Sequence, residues 1–341
     1  MKRFVCMLLL LSVLLSGCAG QAEPEQKQYT ATFLTLFDTV TSIVGRADSE
    51  ETFREKAQSV HDDLLEYHQL FDIYNDYEGI NNLKTINDNA GIAPVVVDGR
   101  IIALLKDCKS YYELTAGKVN AAMGSVLYLW HEARNDGLDD PANAYLPKEE
   151  ALQEAAQHTD FAAVEIDETA STVYITDPSL RLDVGAIAKG WSVQRVCETA
   201  PTGLLISVGG NVCATGPKDE TGTPWVVGIQ DPDGGDSYLH TLTVTEGSVV
   251  TSGDYQRTYL VDGKLYHHII DPETLYPSTL WRSVTIVCAD SGLADALSTA
   301  LFLLPQSEGQ VLLDKAGAVA MWVDQEGKVS YSPGFEKLIR T

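Results

Sequence analysis

Positive charge is scarce in this chain of 341 residues, where 24 Lys and Arg face 48 Asp and Glu for a formal net charge of −24. A surface this acidic repels nucleic acid and anionic lipid headgroups, so neither is expected as a partner. An anionic small molecule is not excluded, but a bound metal ion would then help to hold it. Cysteine is sparse as well. Cys108, Cys197, Cys213 and Cys288 are scattered, with no C-x-x-C and no Cys/His pair at zinc spacing, and read most simply as small buried apolar residues. The chain lacks G-x-G-x-x-G, and its one suggestive lysine precedes a glycine instead of following it, which excludes a Rossmann dinucleotide fingerprint and a P-loop. Past residue 15 no apolar run is long enough to cross a bilayer, and there is no internal repeat.

The N-terminus does carry a signal. Lys2 and Arg3 precede the apolar run Phe4 to Leu15, and Leu15-Ser16-Gly17-Cys18 closes it. This pattern resembles the lipobox of bacterial lipoproteins. The resemblance implies a signal peptide over 1–17, cleavage before Cys18 and lipid on the Cys18 sulfur. Residues 18–28 then form a polar tether, residues 29–341 the folded part, and the protein is expected outside the cytoplasm, lipid-anchored to a bacterial membrane.

Hydrophobic spacing divides the remainder into strands and helices. Tyr29–Val44 reads as one or two strands, and Ser49–Tyr74 as a helix capped by Ser49. Asp98–Leu114 and Met123–Ala133 read as helices, and Arg134–Pro147 as loop, being rich in Asn, Asp, Gly and Pro. Strand signals then dominate: Ala162–Ile166 with Thr172–Thr176, Leu204–Val208, Trp225–Gln230 with His240–Thr245, and Tyr255–Ile270 turning at Asp262-Gly263. Arg282–Cys288, an apolar helix over Gly292–Leu304, and Ala318–Val323 with Lys328–Ser330 complete the chain. Strands and helices do not alternate regularly, so the expected class is α+β and not a doubly wound sheet.

Five segments hold side chains suited to chemistry. Asp183-Val184-Gly185-Ala186-Ile187-Ala188-Lys189-Gly190 enters a helix expected over Ala186–Glu198, where backbone N–H groups and a lysine can hold phosphate; taken alone it reads as a capped helix with a surface lysine. Gly209-Gly210-Asn211 ends a strand in a tight turn or bulge, or lets a ligand approach bare backbone. Thr251–Tyr255 and His267-His268-Ile269-Ile270-Asp271-Pro272 bracket the Asp262-Gly263 turn, and strand alternation would let only one of the two histidines face a given pocket. Asp295 and Thr299 lie four apart on an apolar helix, sharing a face that suits an oxygen-seeking cation such as Mg²⁺. A helix-dipole role for Asp295, with Thr299 bonded back to its own helix, is the plainer alternative.

In this order and spacing the segments resemble the FAD:protein FMN transferase (ApbE) family, over about Thr32 to Phe335. The resemblance implies one α+β domain of two lobes, with mixed or antiparallel sheets and flanking helices, binding FAD and Mg²⁺ between the lobes. It implies FAD contacts at Phe37, Tyr74, Asp183, Lys189, Gly209, Gly210 and Ile270 (or Ile269). It further implies metal contacts from the Ala186 carbonyl, Asp295 and Thr299, and a catalytic role for His268 or Asp295. The usual Gly-x-Phe-Asp-x-Thr segment departs here to Gly117-Lys118-Val119-Asn120-Ala121-Ala122, so an acid and a hydroxyl are missing from a segment that normally touches FAD, through Lys118, Val119 and Asn120 in this chain.

The implied activity is transfer of FMN from FAD to a Thr or Ser hydroxyl of exported acceptors, such as subunits of Rnf-type or sodium-pumping redox complexes, with release of AMP. FAD pyrophosphatase activity and non-catalytic flavin binding are the alternatives.

Overall fold

The computed structural model describes residues 26–235 and 237–340. The expected signal peptide, Cys18 and most of the tether lie outside the described residues. The first strand-like stretch is a hairpin, β1 (Lys27–Leu36) and β2 (Thr39–Ala47), turning through Phe37 and Asp38, which both take φ of 52°. Left-handed backbone at two non-glycine residues is a strained arrangement. Helix α1 (Glu50–Phe71) follows, and the Ser49 side chain accepts from the Thr52 N–H at 3.1 Å, as an N-cap should. Its buried face of Phe53, Ala57, Val60 and Leu64 packs with Ile43 and Leu36 of the hairpin.

A mostly helical stretch comes next: α2 (Leu83–Asp88), β3 (Val95–Val96), α3 (Gly99–Leu114), α4 (Gly124–Asp139) and α5 (Glu149–Ala155). Strands β4 (Val164–Asp167) and β5 (Thr172–Ile175) join β3 in a small sheet of order β3-β5-β4. After α6 (Ala188–Thr199) come β6 (Leu204–Val208), β7 (Asn211–Ala214), β8 (Trp225–Gln230), β9 (Tyr238–Val244), β10 (Gly247–Gly253), β11 (Tyr259–Val261) and β12 (Lys264–Tyr266). The chain closes with β13 (Ser283–Cys288), α7 (Ser291–Phe302), α8 (Gln306–Ala316), β14 (Val319–Val323) and β15 (Val329–Tyr331).

The main sheet has eight strands in the order β1-β2-β6-β7-β10-β13-β14-β15, and every neighbouring pair is antiparallel. The absence of parallel pairing in this sheet matches the α+β expectation. Pairs β8–β9 and β11–β12 stand as separate hairpins, the latter turning at Asp262 and Gly263 with φ of 50° and 77°, the two positive values a type I′ turn requires. Helix α7 is apolar nearly all round and buries Ala294, Leu297, Ala300, Leu301 and Phe302 in the largest core. Asp295 is the exception on that helix, a carboxylate only 4% exposed.

Two expectations need correction. Arg134–Asp139 is helix, not loop: Val126, Trp130, Ala133 and Gly137 continue one buried stripe, and Gly137 lies against the Tyr259 ring, where an added Cβ would come within 2.9 Å. That glycine ends nothing; it admits a neighbour. The helix expected from Ala186 begins at Ala188, because the Asp183 carboxylate accepts from the Gly185 N–H at 2.8 Å and holds the preceding residues in a turn. The short helices α2 and α5, and also α8, had no counterpart among the expected elements.

Candidate active site

The first turn of α6 and the first turns of α7 meet at Gly190. A Cβ added there would lie 2.3 Å from the Ser291 carbonyl oxygen and 2.5 Å from Asp295 Cβ, so only glycine lets the helices come this close. The Gly190 N–H, which in a regular helix would bond the Ala186 carbonyl, donates to Asp295 Oδ2 at 2.8 Å. Lys189 Nζ stands 3.9 Å from the same oxygen and donates to the Gly185 carbonyl at 3.2 Å. Burial raises the Asp295 pKa from its ordinary value, while Lys189 and the Gly190 N–H pull against that rise. The back-bond to the Asp295 carbonyl is made by Ser298, at 2.8 Å, and not by the neighbouring Thr299.

These groups open on a shared cleft with mixed polar and apolar walls. Asp183, Ala186, Lys189, Asp295 and Thr299 line one wall. Gly209 and Gly210 make a two-residue turn between β6 and β7, with φ of 57° and 91°. Gly209 lies against Thr39, whose Oγ1 an added Cβ would approach to 2.7 Å. Asn211, 2% exposed, follows with its side-chain amide buried beside Asp295.

His268, Ile269 and Ile270 also line the cleft. His267 lines the cleft as well, against the expectation that one histidine would point away. Regular strand ends at Tyr266, and the alternation ends with it. His267 is engaged at both nitrogens, with the Ser278 carbonyl at 2.8 Å and the Ile269 N–H at 3.1 Å. His268 has only the Gln256 carbonyl, 3.2 Å from Nδ1. Its ring is open to the cleft, yet the surrounding protein and the charges of Arg257 and Lys189 push its pKa well below the ordinary histidine value.

The ApbE family model matches residues 37–323. The chain belongs to the ApbE family.

Among its relatives, a protein of Treponema pallidum (strain Nichols) named FAD:protein FMN transferase is 36% identical over 277 residues, covering 76% of this chain and 75% of that protein. One of the same name from Klebsiella pneumoniae (strain 342) is 32% identical over 261 residues, covering 73% and 78%. The crystal structure of the ApbE protein of Thermotoga maritima superposes with a TM-score of 0.81 at 30% identity, covering 92% of this chain and all of that one.

Against the ApbE motif, some residues expected at the site turn out to be occupied elsewhere. Lys118 lines the cleft but is paired with Asp271 at 3.1 Å and Glu273 at 2.9 Å, so it ties the wall together and offers little free charge. Asn120 caps the short turn after it, accepting from the Ala122 N–H and donating to the Thr159 carbonyl, both at 2.9 Å. Val119 is buried and contributes apolar wall. Phe37 lies in an adjoining cleft reached past Tyr74, Asp183 and Lys189, and Gly210 faces a separate groove beside β8–β9. Their placement follows from the left-handed turns that carry them. Tyr74 is in the main cleft, stacked on His131 with ring centroids 4.7 Å apart.

Sequence reasoning missed His131, Arg134 and Arg257, all on the cleft wall. None sits in a motif, and Arg134 lay in the stretch read as loop.

Proposed function

We propose that this chain transfers FMN from FAD to a Ser or Thr hydroxyl of an acceptor protein and releases AMP. The observation that carries the reading is the convergence of Asp183, Lys189, His268, Asp295 and Thr299 on one cleft, in a chain of the ApbE family. In the reaction the hydroxyl oxygen bonds to the FMN phosphorus, the bridging P–O bond breaks, and AMP leaves with the bridging oxygen. His268, neutral because its pKa is low, accepts the hydroxyl proton. Lys189, which lines the cleft beside Asp295, orients the phosphates for in-line attack.

The donors at the α6–α7 contact fit a hard cation. Asp295 and Thr299 present oxygen one turn apart, and the Ala186 carbonyl lies in the turn whose usual donor goes to Asp295. Among the described residues no cluster of three or more His, Cys, Asp or Glu is arranged for a metal, so Mg²⁺ here would complete its shell with water and substrate phosphate. When bound, it would neutralise the pyrophosphate and the charge growing on AMP. Export, lipid attachment at Cys18 and acceptors such as Rnf-type or sodium-pumping redox subunits belong to the same proposal, supported by the N-terminal signal.

Chromatography of AMP and free FMN tests it. Transfer predicts AMP that depends on acceptor and Mg²⁺, with no matching free FMN. AMP with equal free FMN would mean hydrolysis, and FAD bound without AMP would contradict enzymatic function.

A further inference from the structure

Arg134 of α4 and Arg257, just ahead of β11, come from distant parts of the sequence to the same cleft. Among the described residues neither lies within 4.0 Å of a carboxylate, although acidic residues outnumber basic ones two to one. Each is instead steadied by a neutral oxygen. Arg134 Nη2 donates to Asn135 Oδ1 at 3.3 Å, and Arg257 Nη2 donates to the Phe37 carbonyl at 3.3 Å. Asn135 is itself fixed through its amide nitrogen, 2.8 Å from His131 Nε2.

The arrangement is unfavourable without a ligand. Burial and the facing charge of Arg257 lower the pKa of Arg134, and the Arg134 Nε is buried with no hydrogen-bond partner. Arg257 adopts φ of 46°, a left-handed conformation that a branched or long side chain seldom takes. Strained backbone and like charges held together gather where a ligand relieves them. The nearby carboxylates, Asp38 and Asp183, act at longer range and leave both guanidiniums unpaired.

We infer that Arg134 and Arg257 form a guanidinium clamp for the anionic, phosphate-bearing part of the nucleotide, separate from the metal-binding residues on α7. The inference rests on the FAD reading above. Guanidinium groups suit it because their planar N–H pairs match phosphate oxygens two at a time. The clamp also explains how a strongly acidic protein attracts an anionic substrate: a cationic cleft with low-dielectric walls focuses the local field against the net charge.

The test is calorimetric binding of FAD and of riboflavin, which lacks phosphate, to the native chain and to Arg134→Gln and Arg257→Gln. EDTA is present throughout, so that metal does not enter. Each substitution is expected to weaken FAD by ~10- to 100-fold, the range for hydrogen bonds to a charged group, and leave riboflavin within about twofold. Arg257→Lys should recover part of the loss, which keeps the test open if Arg257→Gln does not fold. Equal losses for both ligands would mean a packing role and overturn the clamp, as would unchanged FAD binding. AMP release by the native protein with Mg²⁺ is measured separately. Its absence alongside selective FAD weakening would remove the transferase and leave the clamp.

Discussion

Asp295 has opposing effects on stability and on the proposed chemistry. It is a carboxylate inside an apolar helix face, relieved by a lysine 3.9 Å away, one backbone N–H and the Asn211 amide. Its folded-state pKa lies above the unfolded value, so the metal-free folded protein holds this proton more tightly than the unfolded chain does. Stability therefore falls as pH rises from the ordinary carboxylate range through the raised value. Asp295→Asn removes that burden. It should raise the melting temperature of the metal-free protein at neutral pH by roughly 2 °C or more, about the shift 1 kcal/mol gives in a large domain, while cutting AMP release at least ~100-fold. An unchanged or lower melting temperature would show that the carboxylate is needed for packing. His268 carries the second residue-scale prediction. With its pKa below the ordinary value of about 6.5, the ring is a base at neutral pH and protonates only in acid. The rate should show an acid limb below that pH, and His268→Ala should lower kcat by ~10²–10⁴ and abolish the limb. A limb that survives in the variant would assign the proton acceptor elsewhere.

At the scale of elements, the contact between α6 and α7 sets the site. The two helices approach closely because Gly190 has no side chain, and that approach puts Lys189, Asp295 and the Ala186 turn on one wall. Gly190→Ala drives a methyl into the Ser291 carbonyl, where backbone cannot yield cheaply. Urea denaturation should show a loss of ~1–3 kcal/mol, with FMN transfer lost in whatever protein still folds. Much of this was legible beforehand. The four-residue spacing of Asp295 and Thr299, the Ser49 cap and the Asp262-Gly263 turn are local patterns, each fixed by helix or turn geometry. The end of α4 was not legible, because Gly137 carries the same letter whether it breaks a helix or admits the Tyr259 ring. Arg134 and Arg257 escaped for a related reason: an isolated arginine has no local signature, and only the tertiary fold brings the two to one cleft. The occupied state of Lys118 was hidden likewise, since its partners Asp271 and Glu273 lie more than 150 residues away.

On the scale of the whole molecule, a net charge of −24 surrounds a cleft whose wall holds Lys189, Arg134 and Arg257. That contrast favours a small anionic substrate inside and leaves the exterior unsuited to nucleic acid. The proposed anchor at Cys18 would hold this molecule at a membrane without a spanning helix, and among the described residues no helix is long and apolar enough to cross one. Fractionation should find the native protein with membranes and Cys18→Ala released from them; equal partition of the two would contradict lipid attachment. The central claim, FMN transfer, is tested most directly by intact mass. The chain from residue 19 onward is incubated with FAD, Mg²⁺ and an acceptor segment bearing a Thr. The account predicts that the acceptor gains one FMN less water and that Asp295→Ala abolishes the gain. An acceptor of unchanged mass while FAD is consumed to AMP and free FMN would contradict it.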